Sequence, residues 1–452
     1  MGEVMQRFGR LAAAVLLAMA AIGVGPGYVS AADAVTFGQP RATSAFGKSI
    51  EFEQPVVLAA TPSLVELLIR TPGAAGPDVT TIDPPAGSGD QTLRFEVDLA
   101  KGHIVPNTTF VARWRVTDRD GRAGLGPEVT HLYADDRIAW RTLSGDVVRV
   151  HWSEGGNDFG RRALAIGDKA IADTADLLGV TETEPIDFYI YADQQQFYDA
   201  LGPGTRENVG GQAHADIRTM FALITPAEID QTWVDVVVPH ELVHLVFATA
   251  TDNPYHDPPH WLNEGLAVYL SEGYTRDYRN EVDGAVRNET IMALQGLAGA
   301  FPTTFDRFHL AYGESVSAVD YIVSTHDRDA LVALIRSYAT GKSDDEAFTA
   351  ALGVDVAGFE AEWLKNLGAS APVRHGPQPA PPGPVPEGWS GSAPNPSVGP
   401  ATGSSPAPSR PPTETKAPGS IDGLVLVAIV AGVVILVGFA LFRRRRPVQP
   451  GP

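Results

Sequence analysis

Between about Val35 and Asp136 apolar and polar residues alternate with a period of two. In "LRFEVDL" Leu93, Phe95, Val97 and Leu99 oppose Arg94, Glu96 and Asp98, and in "FVARWRV" Phe110, Ala112, Trp114 and Val116 share one side. Successive side chains of a strand point to opposite faces, so the pattern predicts antiparallel strands with one buried face. Repeated with turn residues between, it predicts an all-β, immunoglobulin-like sandwich over residues 35–136. "DRDG" at 118–121 offers too few oxygen ligands for a calcium loop and reads as the tip of a hairpin.

Further along the period changes. "VVRVHW" is a short strand, and "FGRRALAIGDKAIADTADLLG" then repeats apolar residues at helical spacing through Ala163, Ile166, Ala170, Thr174 and Leu177 before stopping at Gly179. "IDFYIY" at 186–191 and "RTMFALI" at 218–224 are compact strands. "TPAE" at 225–228 matches a capping box with Pro226 in the first helical position, so a helix is expected soon after the second strand. Strands mixed with helices predict an α+β domain over residues 137–369.

Both ends of the chain carry membrane-directed patterns. Arg7 and Arg10 precede the apolar "LAAAVLLAMAAIGVG", and "VSAADA" offers small residues for cleavage, so residues 1–34 read as a signal peptide. Residues 370–420 are rich in Pro, Gly, Ser and Ala and predict a disordered stalk. Gly423–Phe442 has no charged residue and is long enough to cross a bilayer, which makes residues 421–442 a transmembrane helix. "RRRR" follows within a basic tail, 443–452, and arginines at one end of a span favour its cytoplasmic side. The expected topology is therefore a single-pass protein of the cell membrane, with the bulk of the chain extracytoplasmic and the C-terminus cytoplasmic.

Composition narrows the chemistry. There is no cysteine, so disulfides, thiolate metal sites and cysteine nucleophiles are excluded. The formal net charge of −20 argues against nucleic acid as a partner.

One segment then stands out. "VVPHELVHLVFA", residues 237–248, places His240 and His244 four apart with Glu241 between them in an otherwise apolar run. On a helix the residues i and i+4 share a face, so both imidazoles can converge on one zinc ion, while Glu241 can reach a water bound to it. Burying two imidazoles and a carboxylate without partners is costly, which argues against a plain core helix. A catalytic zinc site needs a third protein ligand, with the fourth position left for water. The metzincin spacing is excluded, because its glycine and histidine positions are Phe247 and Ala250 here. Downstream, "PPHWLNEGLAVYLSEG" reads as a second helix carrying Glu264, and His260, one turn earlier, is a competing ligand.

These motifs resemble the gluzincin zinc metallopeptidases, specifically the exported peptidase MA-like families related to the aminopeptidase N clan. "WLNEGLAVY" is similar to their third-ligand helix. The resemblance implies a thermolysin-like domain with one Zn2+ on His240, His244 and Glu264, and with Glu241 as the general base. "AYGESVSAVDYIV", 311–323, resembles the helix that follows in these families, which makes Tyr312 a candidate oxyanion donor beside its plain reading as a packing tyrosine. "GGQAHADIRTMFAL" is similar to the edge strand along which they lay a peptide, and "DDEAFTAALGVDVAGFEAEWLKNLG", 344–368, to their last helical pair. The implied activity is hydrolysis of a peptide or protein substrate. "GGQAHAD" lacks the glutamate with which the aminopeptidase branch holds a free amine, which leans the expectation towards endopeptidase action. Two rivals stay open: a non-catalytic surface receptor or adhesion protein on a peptidase fold, and a zinc hydrolase of a non-peptide substrate.

Overall fold

The computed structural model describes residues 35–100, 102–202 and 210–372. The expected signal peptide, the stalk from residue 373 onward, the transmembrane helix and the basic tail lie outside the described residues. Contacts divide the chain into two compact units; the first ends at Asp135, the second begins at Asp136, and the short insert Gly102–Val105 belongs to the second.

The first unit is built from β1 (Val35–Phe37), β2 (Arg41–Ala45), β3 (Ser49–Leu58), β4 (Leu64–Arg70), β5 (Asp78–Ile82), β6 (Gly89–Asp98), β7 (Thr108–Thr117), β8 (Ala123–Leu125) and β9 (Val129–Tyr133). In one sheet β3 pairs antiparallel with β1, β2 and β6; in the other β7 pairs antiparallel with β4, β8 and β9, and β5 extends β4. The alternation along β7 is realised strictly: Phe110, Ala112, Trp114 and Val116 are buried and their neighbours are not. Phe52 of the first sheet meets Phe110 of the second edge to face, with ring centroids 6.4 Å apart, so the two apolar faces share a core. "DRDG" closes the β7–β8 hairpin, with Gly121 at φ +82° and the Asp118 carboxylate accepting the backbone N–H groups of Asp120 and Arg122.

The second unit adds β10 (Arg141–Ser144), β11 (Val148–Trp152), α1 (Asn157–Leu178), β12 (Ile186–Tyr191), α2 (Gln194–Leu201), β13 (Gly211–His214), β14 (Thr219–Leu223) and α3 (Val234–Thr251). Its sheet runs β10-β11-β12-β14-β13; the three central strands are parallel and both edges antiparallel. Helices α1 and α3 pack together against it, and two glycines permit the close approach. A methyl group at Gly160 would sit 2.5 Å from the Trp152 ring, and one at Gly167 would sit 3.2 Å from Val148. The remaining helices are α4 (His260–Ser271), α5 (Arg276–Arg287), α6 (Phe305–His326), α7 (Arg328–Tyr338), α8 (Asp344–Leu352) and α9 (Val356–Leu367). Trp261 of α4 is buried between Phe348 of α8 and Phe359 of α9, stacking on the latter at 6.0 Å.

Two local expectations are corrected. The "TPAE" box forms, with the Thr225 N–H and hydroxyl both donating to Glu228, but it caps a run of turns, and the helix starts only at Val234. A cap satisfies free N–H groups in a turn as well as in a helix, so the motif marks a chain reversal and not a helix start. In α1 the buried stripe ends on Leu178 rather than Leu177, because the i+4 step from Thr174 reaches 178.

Candidate metal centre

Helix α3 carries the two histidines and is the central helix of its unit. It is long and apolar enough to cross a membrane by length and composition, yet 72% of it is buried inside the fold. Pro239 sits in its second turn, where its ring costs the helix one N–H bond, to the Asp235 carbonyl. The next residue starts the site: His240, Glu241 and His244 are all buried.

The third group arrives on α4, which packs against α3 on one side and α6 on the other. At Gly265 a methyl group would lie 2.5 Å from the Ser315 carbonyl oxygen of α6, so only glycine lets the helices meet at this depth. Its neighbour Glu264 is thereby held over α3, with Oε2 3.4 Å from His240 Nε2 and 3.6 Å from His244 Nε2. One ligand atom from each of His240, His244 and Glu264 falls within 4.8 Å of the others.

The protein leaves these atoms free for a ligand. His244 donates from Nδ1 to Asn263 Oδ1 at 2.9 Å, which fixes the tautomer and turns a bare Nε2 lone pair to the cluster. Among the described residues neither that nitrogen nor His240 Nε2 has a hydrogen-bond partner. Burial, and then the neighbouring His244, hold His240 well below its ordinary range; burial also lowers His244 to about 4. Both imidazoles are thus neutral near pH 7, which is the metal-binding form. Burial, followed by the charge of Glu241, raises the Glu264 carboxyl well above its usual value, and the nearby Tyr312 acts in the opposite sense. A divalent cation would offset the cost of holding this carboxylate ionised. Two neutral imidazoles and a carboxylate without a thiolate are a donor set that suits zinc.

Glu241 lies beside the cluster. Burial raises its proton affinity, and Ala213 of β13, which lies nearby, acts in the opposite sense. Gly211 of the same strand leaves it room, since a methyl group there would be 3.0 Å from Glu241 Cγ. Among the described residues strand β13 is the edge of its sheet, paired with β14.

Tyr312 comes in on α6. Its ring is 6.4 Å from that of His240 and is wedged edge-on between Phe301 and Phe308, each 5.1 Å away. His260 lies on the far side of Glu264, its Nε2 3.5 Å from Oε1, and is not one of the three converging ligands. The structure thus gathers every residue named from the motifs, and it adds three that were missed: Asn263, Gly211 and Gly265. Asn263 adjoins Glu264 in sequence, but nothing local says that it faces His244.

A buried pair of histidines four apart on one helix and a glutamate on the next, with a second glutamate beside them, form a group that could hold a metal ion. Residues 166–369 match the family model of the Peptidase MA superfamily, the group the motifs resemble. No curated protein matches the chain. Among solved structures it is similar to OgpA of Akkermansia muciniphila (15% identity, 22% of this chain and 28% of that one, TM-score 0.18). It is also similar to an aminopeptidase N family protein of Idiomarina loihiensis (10%, 72% and 76%, TM-score 0.39). A third is an M1 zinc metallopeptidase of Deinococcus radiodurans (15%, 74% and 92%, TM-score 0.32). The chain spans less than a third of the length of OgpA.

Proposed function

We propose that the protein is a membrane-anchored, outward-facing zinc peptidase, with an immunoglobulin-like β unit ahead of a thermolysin-like catalytic domain. The observation that carries this reading is the buried convergence of His240, His244 and Glu264, with two Nε2 atoms that have no hydrogen-bond partner among the described residues and Glu241 at its side. The family match over residues 166–369 supports it.

His240, His244 and Glu264 would hold the zinc, which would supply a Lewis acid for a substrate carbonyl and for water. Glu241 is the general base: burial raises its proton affinity, so it takes the proton of the attacking water and later returns it to the leaving amine. Glu241 lies beside β13, whose outer edge, unpaired among the described residues, suits an extended peptide laid along it as an added strand. Tyr312, clamped by Phe301 and Phe308, donates its hydroxyl proton to the developing oxyanion. The absence of a glutamate from "GGQAHAD" favours internal cleavage over release of N-terminal residues.

The test compares zinc content and peptidase activity of the purified wild type, Glu264→Ala and Glu241→Gln. Glu264→Ala loses both, because two imidazoles alone remain; Glu241→Gln keeps zinc and loses activity. A wild type that holds zinc yet cleaves no member of a broad peptide library would move the non-peptide hydrolase or the receptor reading ahead. The anchoring is tested separately, since protease added to intact cells should release a large fragment cut within residues 370–420. Protection until lysis would reverse the topology.

A further inference from the structure

The two oxygens of Glu264 face different partners. Oε2 lies 3.4 and 3.6 Å from the Nε2 atoms of His240 and His244, whereas Oε1 lies 3.5 Å from His260 Nε2. We propose that His260 is a positioning residue of the metal centre, donating from Nε2 to Oε1 of Glu264 so that Oε2 alone is presented to the ion. This rests on the zinc reading above and assigns His260 no place among the ligands.

Three features support it. His260 and Glu264 are four apart on α4 and share a face, so their approach is set by the helix itself. The imidazole is held: its ring meets Phe301 edge-on at 4.7 Å, and its backbone N–H donates to the Ala298 carbonyl at 2.7 Å. A buried carboxylate with two equivalent oxygens beside one cation has a choice between one-oxygen and two-oxygen coordination. A donor fixed on one oxygen removes that choice, and such outer partners set the orientation and affinity of metal ligands. The pair stands 3.5 Å apart without a formed hydrogen bond, and Oε1 has no other hydrogen-bond partner among the described residues, so the position of a donor on it is open to His260.

The experiment uses the full-length chain and two substitutions. His260→Phe keeps a ring against Phe301 and removes the donor; His260→Gln replaces Nε2–H by an amide N–H of similar reach. Zinc affinity is measured by competition with a chromophoric chelator, and the coordination of Co2+ in the same site by its visible absorption. The proposal expects His260→Phe to weaken zinc binding about 10- to 100-fold and to lower the Co2+ band intensity, as a second carboxylate oxygen raises the coordination number. His260→Gln should restore both towards wild type. Thermal unfolding of the metal-free variants checks that each is folded. The proposal is overturned if folded His260→Phe matches the wild type in affinity and spectrum. It is overturned also if both substitutions abolish binding while Glu264→Gln retains it, because His260 would then be the third ligand. A wild type that binds neither metal would sink the zinc reading itself, and this proposal with it.

Discussion

Gly265→Ala sets two opposed effects against each other on one helix, and the structure says which prevails. Alanine is a better helix residue than glycine, by up to about 1 kcal/mol at an interior position. At Gly265 the added methyl would lie 2.5 Å from the Ser315 carbonyl oxygen, 2.8 Å from its carbon and 2.9 Å from Val319 Cγ2. The first two are backbone atoms inside α6 and cannot rotate away. Ordinary carbon–oxygen contact needs about 3.3 Å, so α4 and α6 must part by roughly 0.8 Å, at an overpacking cost in the upper part of the usual range, about 2–3 kcal/mol. The balance is a net loss of about 1–2 kcal/mol, or roughly 2–8 °C in Tm for a domain of this size. Glu264, the preceding residue, moves with the helix, and metal ligands tolerate only about 0.2 Å, so zinc affinity falls as well. The assay is thermal unfolding of the metal-free protein together with chelator competition for zinc. Gly284→Ala on α5 is the control: its methyl would meet only the Arg287 guanidinium, at 3.8 Å, and it should be neutral or stabilising. A Gly265→Ala protein as stable as wild type with unchanged zinc affinity would refute the argument that glycine sets the depth of this helix contact.

Other expectations follow from the same geometry. Asn263→Leu removes the acceptor that fixes the His244 tautomer and should weaken zinc binding about 10- to 100-fold, read by the same competition; unchanged affinity would return Asn263 to a packing role. Tyr312→Phe should lower turnover by about ten- to a thousand-fold with zinc content intact, and unaltered kinetics would make Tyr312 a core residue. His214 is half-buried, with its Nε2 inside, and desolvation, helped by nearby His103, lowers it to about 4. Its unfolded form binds a proton near pH 6.5 and its folded form does not, so stability is full above that pH and is lost as pH falls from about 6.5 towards 4, by up to about 3 kcal/mol. Urea unfolding between pH 7.5 and 4.5 should show the decline, flattened in His214→Phe; identical slopes would remove His214 as a cause.

What the chain reveals without its fold is whatever short-range geometry can carry. Period two along Leu93–Leu99 and Phe110–Val116 announces strands, because side chains alternate faces whatever lies opposite. The four-residue step from His240 to His244 announces paired ligands, because a helix alone brings them to one side. Glu264 was legible only through its motif, since 19 residues separate it from His244 and no local rule brings α4 over α3. That meeting depends on Gly265 lying against Ser315 and on Trp261 being held by Phe348 and Phe359, contacts that span 50 to nearly 100 residues. The tertiary structure likewise decided that "TPAE" caps a turn, because a satisfied box does not require a helix behind it. It decided that Asn263 faces His244, that Gly211 clears space for Glu241, and that His260 stands behind Glu264 and not among the ligands. Each of these is a choice of facing across two packed elements, and side-chain periodicity records which face of an element is buried but not what it is buried against.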